Sequence, residues 1–205
     1  MKLFILIIPL FSIIFSLTAQ DKLKNLSYDE IDSLGVFYFQ QKDYKKVIFY
    51  IDAGREKSKN PIGAQDSLYI NYTNILGIVY GRMEQLNKAE QLFLEALNLS
   101  IQIFGKEHIL YARSLKNLAV TYFDIGKYTE AESLFIESLN LNAKMLGREH
   151  PVYAKILYNL ASTYIAMGKY MQSEPLILES KNIIAKVLGK DDPFYAVVLN
   201  KLAVL

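Results

Sequence analysis

With 205 residues, 52% of them hydrophobic, the chain can bury a substantial core, which excludes an intrinsically disordered segment. Its 23 Lys and Arg against 21 Asp and Glu leave a formal charge of +2, without a basic tail or acidic block, so no sequence-wide pull toward nucleic acid or anionic lipid exists. Cysteine is absent, which removes disulfides, thiol catalysis and thiolate metal sites together.

The chain opens with Lys2, an almost wholly apolar run from Leu3 to Phe15, and small or polar residues from Ser16 to Ala19. This is the pattern of a secretory signal peptide, with cleavage expected after Ala19 and export to the periplasm or the exterior. The run is shorter than the roughly 20 residues that span a bilayer, and Pro9 interrupts it. An uncleaved membrane tether is the alternative. Residues 20–26 then form a short lead-in.

From residue 27 onward the chain superimposes on itself after a shift of 42 residues. Tyr69, Tyr111, Tyr153 and Tyr195 align, as do Gly63, Gly105, Gly147 and Gly189. Leu34, Leu76, Leu118, Leu160 and Leu202 share another position, and Tyr38, Tyr80, Tyr122 and Tyr164 a third. About half the positions are identical between Gly105 to Leu146 and Gly147 to Leu188, which only duplication explains.

Each unit reads as two helices. Leu115, Leu118, Ala119 and Tyr122 recur at helical spacing, and after Gly126 so do Ala131, Leu134, Phe135, Ser138 and Leu139. The small residue at Gly35, Gly77, Ala119, Ala161 and Ala203 allows close helix approach. Gly126-Lys127-Tyr128 and Gly168-Lys169-Tyr170 read as tight turns, and Pro151 and Pro193 as first-turn prolines. The first unit departs from the pattern: Val47 and Ile51 replace Ala89 and Phe93, and its linker through Asn60-Pro61-Ile62-Gly63 is irregular, as in a terminal cap.

Leu-Ala/Gly-x-x-Tyr followed by Ala-Glu-x-Leu-Phe resembles the tetratricopeptide repeat. The 42-residue period, with Lys116-Asn117-Leu118-Ala119, Ala131-Glu132 and Leu146-Gly147-Arg148-Glu149-His150-Pro151, resembles its kinesin-light-chain-like subtype. The likeness covers about residues 27 to 205. It implies an all-α, right-handed superhelical solenoid of stacked antiparallel helix pairs, with units at 27–68, 69–110, 111–152 and 153–194 and a partial one at 195–205. Kinesin light chains are cytosolic cargo adaptors, whereas this chain begins with an export signal, so the motor-adaptor role does not carry over.

The resemblance further implies that the first helix of each unit lines a concave, peptide-binding surface. Its outward positions here are Asn71 and Asn74; Arg113, Lys116 and Asn117; Lys155, Tyr158 and Asn159; and Asn200. Asparagines can donate to and accept from a peptide backbone, and the basic residues would favour acidic groups. The same residues read equally as solvated polar positions or inter-helix hydrogen-bond partners.

Neither metal nor cofactor is expected. His108 and His150 occupy equivalent linker positions, with Asp192 as their counterpart, and read as helix-start residues. Glu90, Glu132 and Glu174 read as part of the repeat pattern rather than as catalytic acids, and no phosphate loop, nucleophile elbow or His-Glu-x-x-His pair occurs. The tyrosines read as core, not as nucleobase platforms. At the far end Val198, Leu199, Leu202 and Leu205 are expected to lack cover, which points to a fragment of a longer chain or to docking on a second copy.

The leading functional reading is an exported, non-enzymatic scaffold for a protein or peptide. The competing one is a sensory or regulatory arm of a larger signalling enzyme or protease.

Overall fold

The computed structural model describes residues 23, 25–59 and 66–204; the signal segment, the Asn60 to Gly63 linker and Leu205 lie outside the described residues. Nine helices form among them: α1 (Tyr28–Gln40), α2 (Tyr44–Lys57), α3 (Asp66–Arg82), α4 (Leu86–Phe104), α5 (Ile109–Asp124), α6 (Tyr128–Leu146), α7 (Pro151–Ala166), α8 (Tyr170–Val187) and α9 (Pro193–Leu202). No strand occurs among the described residues, so the all-α expectation is borne out. None of these helices is long and apolar enough to cross a membrane.

Two contact units divide the chain, one ending at Val79 and the other beginning at Tyr80. In the first, Ser27 starts α1 with a capping box: its hydroxyl accepts from Glu30 N at 3.2 Å while its own N–H donates to the Glu30 carboxylate at 2.7 Å. Ile31, Val47 and Ile51 are buried at the α1–α2 seam, so the atypical residues of this unit still serve as core. Gly35 keeps the seam tight, since a Cβ there would lie 2.7 Å from Ile51 Cδ1. Gly54 does the same beside the buried Tyr72 ring, whose Cζ would lie 2.9 Å away.

In the second unit each helix packs on the next, and α5 also touches α7. The apolar seam recurs in register. Ala89 and Phe93 of α4 are buried with Leu118 of α5; Ala131 and Phe135 of α6 with Leu160 of α7; Ile177 of α8 with Ala161 of α7 and Val198 of α9. Val198 therefore corrects one expectation: it is fully buried, because Ala161 and Ile177 cover it, while Leu199 remains 40% exposed.

Polar groups repeat with the same period. Ser138 Oγ donates to Ala112 O and, 42 residues on, Ser180 Oγ donates to Ala154 O, both at 2.8 Å. The Glu90 carboxylate lies 3.7 Å from Lys127 Nζ, and that of Glu132 lies 2.9 Å from Lys169 Nζ. Burial raises the pKa of the Tyr122 and Tyr164 phenols, and the facing carboxylates of Glu90 and Glu132 push them further up. Each glutamate thus joins one helix pair to the next, which accounts for its recurrence without catalysis. Being partly solvated, these pairs contribute at most about 1 kcal/mol each, far less than the apolar seam.

Helix starts account for the histidines. Nδ1 of His108 accepts from Leu110 N at 3.3 Å, Nδ1 of His150 from Val152 N at 3.1 Å, and Oδ1 of Asp192 from Phe194 N at 2.8 Å. These caps place the starts of α5, α7 and α9 at 109, 151 and 193, two residues before the unit boundaries read from the sequence.

The turn inside each pair needs a left-handed residue. Gly126 and Gly168 supply it with φ of 82° and 73°, whereas Glu84 and Lys42 occupy the equivalent positions at φ 58° with a Cβ present. A left-handed non-glycine residue costs roughly 1–2 kcal/mol. Glu84→Gly is therefore expected to stabilise the protein by about 1 kcal/mol, read as an increased denaturant midpoint; an unchanged or lower midpoint would refute strain at this turn.

Candidate functional site

The first helices of the pairs, α3, α5, α7 and α9, carry all nine residues expected to face a ligand. In the first unit Asn71 is half-buried, but Asn74 is only 1% exposed and its Nδ2 donates to Ile70 O at 3.0 Å. In the second unit Asn117 is 6% exposed. Burial removes Asn74 and Asn117 from the set of accessible asparagines, and the Asn74 amide bonds within its own helix. Asn159 is half-buried, and Asn200 is exposed on α9.

The basic residues do come together. Arg113 and Lys155 are exposed, Lys116 lies half-buried between their helices, and α5 and α7 are neighbours. Burial lowers the Lys116 pKa most, and the positive charges of Arg113 and Lys155 lower it further; burial alone lowers that of Arg113. Every influence found on Lys116 opposes its charge. A cation in this state gains whenever an anion approaches.

Tyr158 continues this face. Its ring meets Phe194 of α9 edge-on at 5.3 Å, Lys155 Nζ lies 5.5 Å from the Phe194 centroid, and Lys201 Nζ lies 5.6 Å from that of Tyr158. Beside it is a pocket of about 200 Å³ lined by Val120, Phe123 and Asp124 of α5, Phe135 of α6, Tyr158, Asn159 and Ser162 of α7, and Lys201 of α9.

The sequence reading found Tyr158 and Asn159 but missed the rest of this pocket. A signal was present in the departures from the repeat. Ser162 stands where Val36, Ile78 and Val120 are apolar, Asp124 where Gln40, Arg82 and Ala166 stand, and Lys201 where Asn117 and Asn159 stand. Among the described residues no cluster of three or more His, Asp or Glu could hold a metal ion.

The charge on Lys116 has a stability consequence. Its folded-state pKa lies below the ordinary lysine value, so the charged form costs stability at neutral pH, and that cost disappears as pH rises through the interval between the two values. Lys116→Met is expected to raise the thermal midpoint at neutral pH and to lose this advantage above the ordinary lysine pKa. Equal midpoints of variant and parent at neutral pH would show that Lys116 is not held unfavourably.

The family model for the tetratricopeptide repeat matches residues 68–144 and 152–205, together more than half of the chain. No curated protein sequence matches it. Among solved structures, BtubC (BKLC) from P. vanneervenii superimposes with a TM-score of 0.76 at 18% identity, covering 86% of this chain and 70% of its own. A kinesin-light-chain protein of Podosopora anserina with nearly identical TPR-like repeats gives 0.69 at 21% identity, covering 85% and 82%. The apo form of RapI gives 0.68 at 18%, covering 84% and 63%. At these identities the likeness establishes the fold, a solenoid of helix pairs. The matched residues, the 42-residue helix pairs and their recurring apolar seam together show that the chain belongs to the tetratricopeptide-repeat family.

Proposed function

We propose that this chain is an exported, non-enzymatic scaffold that holds a protein or peptide against the first-helix face of its second unit. Tetratricopeptide repeats typically form protein-binding scaffolds, and this face carries the features that such binding uses. The observation that carries the reading is the cluster of Arg113, Lys116 and Lys155, in which like charges and burial act together against the Lys116 ammonium. An acidic side chain laid across α5 and α7 relieves that repulsion and forms charge-assisted hydrogen bonds, each worth about 1.5–3 kcal/mol. Beside the cluster, the half-buried Tyr158 offers apolar area with a polar tip, the combination favoured at protein interfaces.

A peptide display library selected on the immobilised chain tests this reading. Retained peptides are expected to be enriched in Asp and Glu, and the combined Arg113→Glu, Lys116→Glu, Lys155→Glu variant is expected to bind them at least about 100-fold more weakly with unchanged helicity. Selection without acidic bias, or unaltered binding by the variant, would overturn the groove assignment. Export rests on the run from Leu3 to Ala19 and is tested separately. N-terminal sequencing after expression in a secretion-competent bacterium is expected to begin at Gln20, and a mature chain still carrying that run would defeat it.

A further inference from the structure

Ser162 is the anomaly of the second unit. Every other buried serine or threonine hydroxyl there donates to a backbone carbonyl: Ser100 to Ala96, Ser114 to Leu110, Thr121 to Asn117, Ser138 to Ala112, Thr163 to Asn159, Ser173 to Ala161 and Ser180 to Ala154. Ser162 is 9% exposed, and its Oγ is buried with no hydrogen-bond partner. An unpaired buried hydroxyl costs about 1–3 kcal/mol. It lines the pocket between α5, α7 and α9.

The same pocket contains a carboxylate lacking a close counter-ion. Asp124, the last residue of α5, forms no ion pair or hydrogen bond among the described residues; desolvation raises its pKa, and Arg82 is the one cation that offsets this. Phe123, Phe135, Tyr158, Asn159 and Ser162 line the pocket with Asp124. Three residues that carry acceptor oxygens, Asp124, Asn159 and Ser162, therefore line one aromatic-walled space. Lys201 Nζ already lies over the Tyr158 ring, 5.6 Å from its centroid.

We propose that this pocket seats the guanidinium of an arginine side chain of the bound peptide, with Asp124 as its counter-charge, Ser162 and Asn159 as acceptors and the aromatic walls as its stacking surface. The inference rests on the scaffold reading above and specifies its partner further. A guanidinium is planar, carries five donors, stacks on aromatic rings and is weakly hydrated, which matches a narrow aromatic pocket containing several acceptors. The volume of about 200 Å³ accommodates the side chain with its aliphatic stem along Val120 and Phe135. From Lys155 to Ser162 is seven residues of helix, roughly 10 Å at 1.5 Å per residue. An extended peptide covers that distance in about three residues. The partner is thus bipolar, with an acidic residue on the Arg113, Lys116 and Lys155 cluster and an arginine about three residues away.

The probe is N-acetyl-arginine amide, titrated into the full isotopically labelled chain and followed by the amide resonances of Val120, Asn159 and Ser162. Saturable shifts are expected, absent with the neutral isostere N-acetyl-citrulline amide. Asp124→Asn, an exposed change at a helix end, is expected to weaken binding about 10-fold or more with helicity retained. Lys201→Ala removes the resident cation and is expected to tighten it about two- to fivefold. The proposal is overturned by the absence of saturable shifts, by equal binding of the citrulline probe, or by an anionic probe, N-acetyl-glutamate amide, that binds here and tightens on Asp124→Asn. Because the basic-cluster variant leaves the pocket intact, arginine-probe binding should survive it. Failure of the probe while the display selection still returns acidic peptides removes the pocket assignment alone.

Discussion

The contact between the second helix of one pair and the first helix of the next holds the second unit together. Phe93 against Leu118 and Phe135 against Leu160 are the same contact 42 residues apart, each completed by an alanine that lets the backbones close in. Burying such a pair contributes several kcal/mol, whereas each surrounding ion pair contributes a small fraction of that. No single pair of helices could bury this face alone, so stability is distributed over neighbour contacts, as expected for a quasi-one-dimensional array.

That seam dictates what the polar residues must do. Hydroxyls drawn into it have to find backbone acceptors, which is why Ser138 and Ser180 bond across to the preceding helix at identical distances. Glu90 and Glu132 lie where the seam reaches solvent and face the tyrosine and lysine of the following pair. The first helices α5 and α7 are the more buried members of their pairs, so only a few of their side chains reach solvent. Arg113, Lys116 and Lys155 can be held close to one another there because the backbones beneath them are fixed by the apolar contact, not by the charges themselves.

The strained features gather on this same face. A cation opposed by its neighbours, a carboxylate lacking a close counter-ion and a hydroxyl without a partner each cost free energy in the empty protein. Their placement around one groove and its pocket is the physical case for a ligand that supplies the missing partners. The equivalent positions elsewhere in the second unit hold other residues, Val120 for Ser162, Arg82 and Ala166 for Asp124 and Tyr158 for Lys116, so the repeat itself does not require these residues.

The sequence alone determined the period, the helix pairs, the turn glycines and most of the core, because burial at helical spacing leaves a mark in every copy of the repeat. It also showed that His108, His150 and Asp192 start helices, since three different units place a capping residue at one position. Only the tertiary structure decided which polar residues are accessible. Asn117 and Asn159 occupy the same position in the repeat, yet one is buried and the other is half-buried and lines a pocket. Likewise Val198 looked uncovered until α8 was placed against it. The pocket escaped the sequence reading because its walls come from four helices, and its informative residues are departures from the repeat that acquire meaning only when Asp124, Ser162 and Lys201 are brought together in space. Periodicity records what every unit shares, whereas a binding site consists of what one place in the stack does differently.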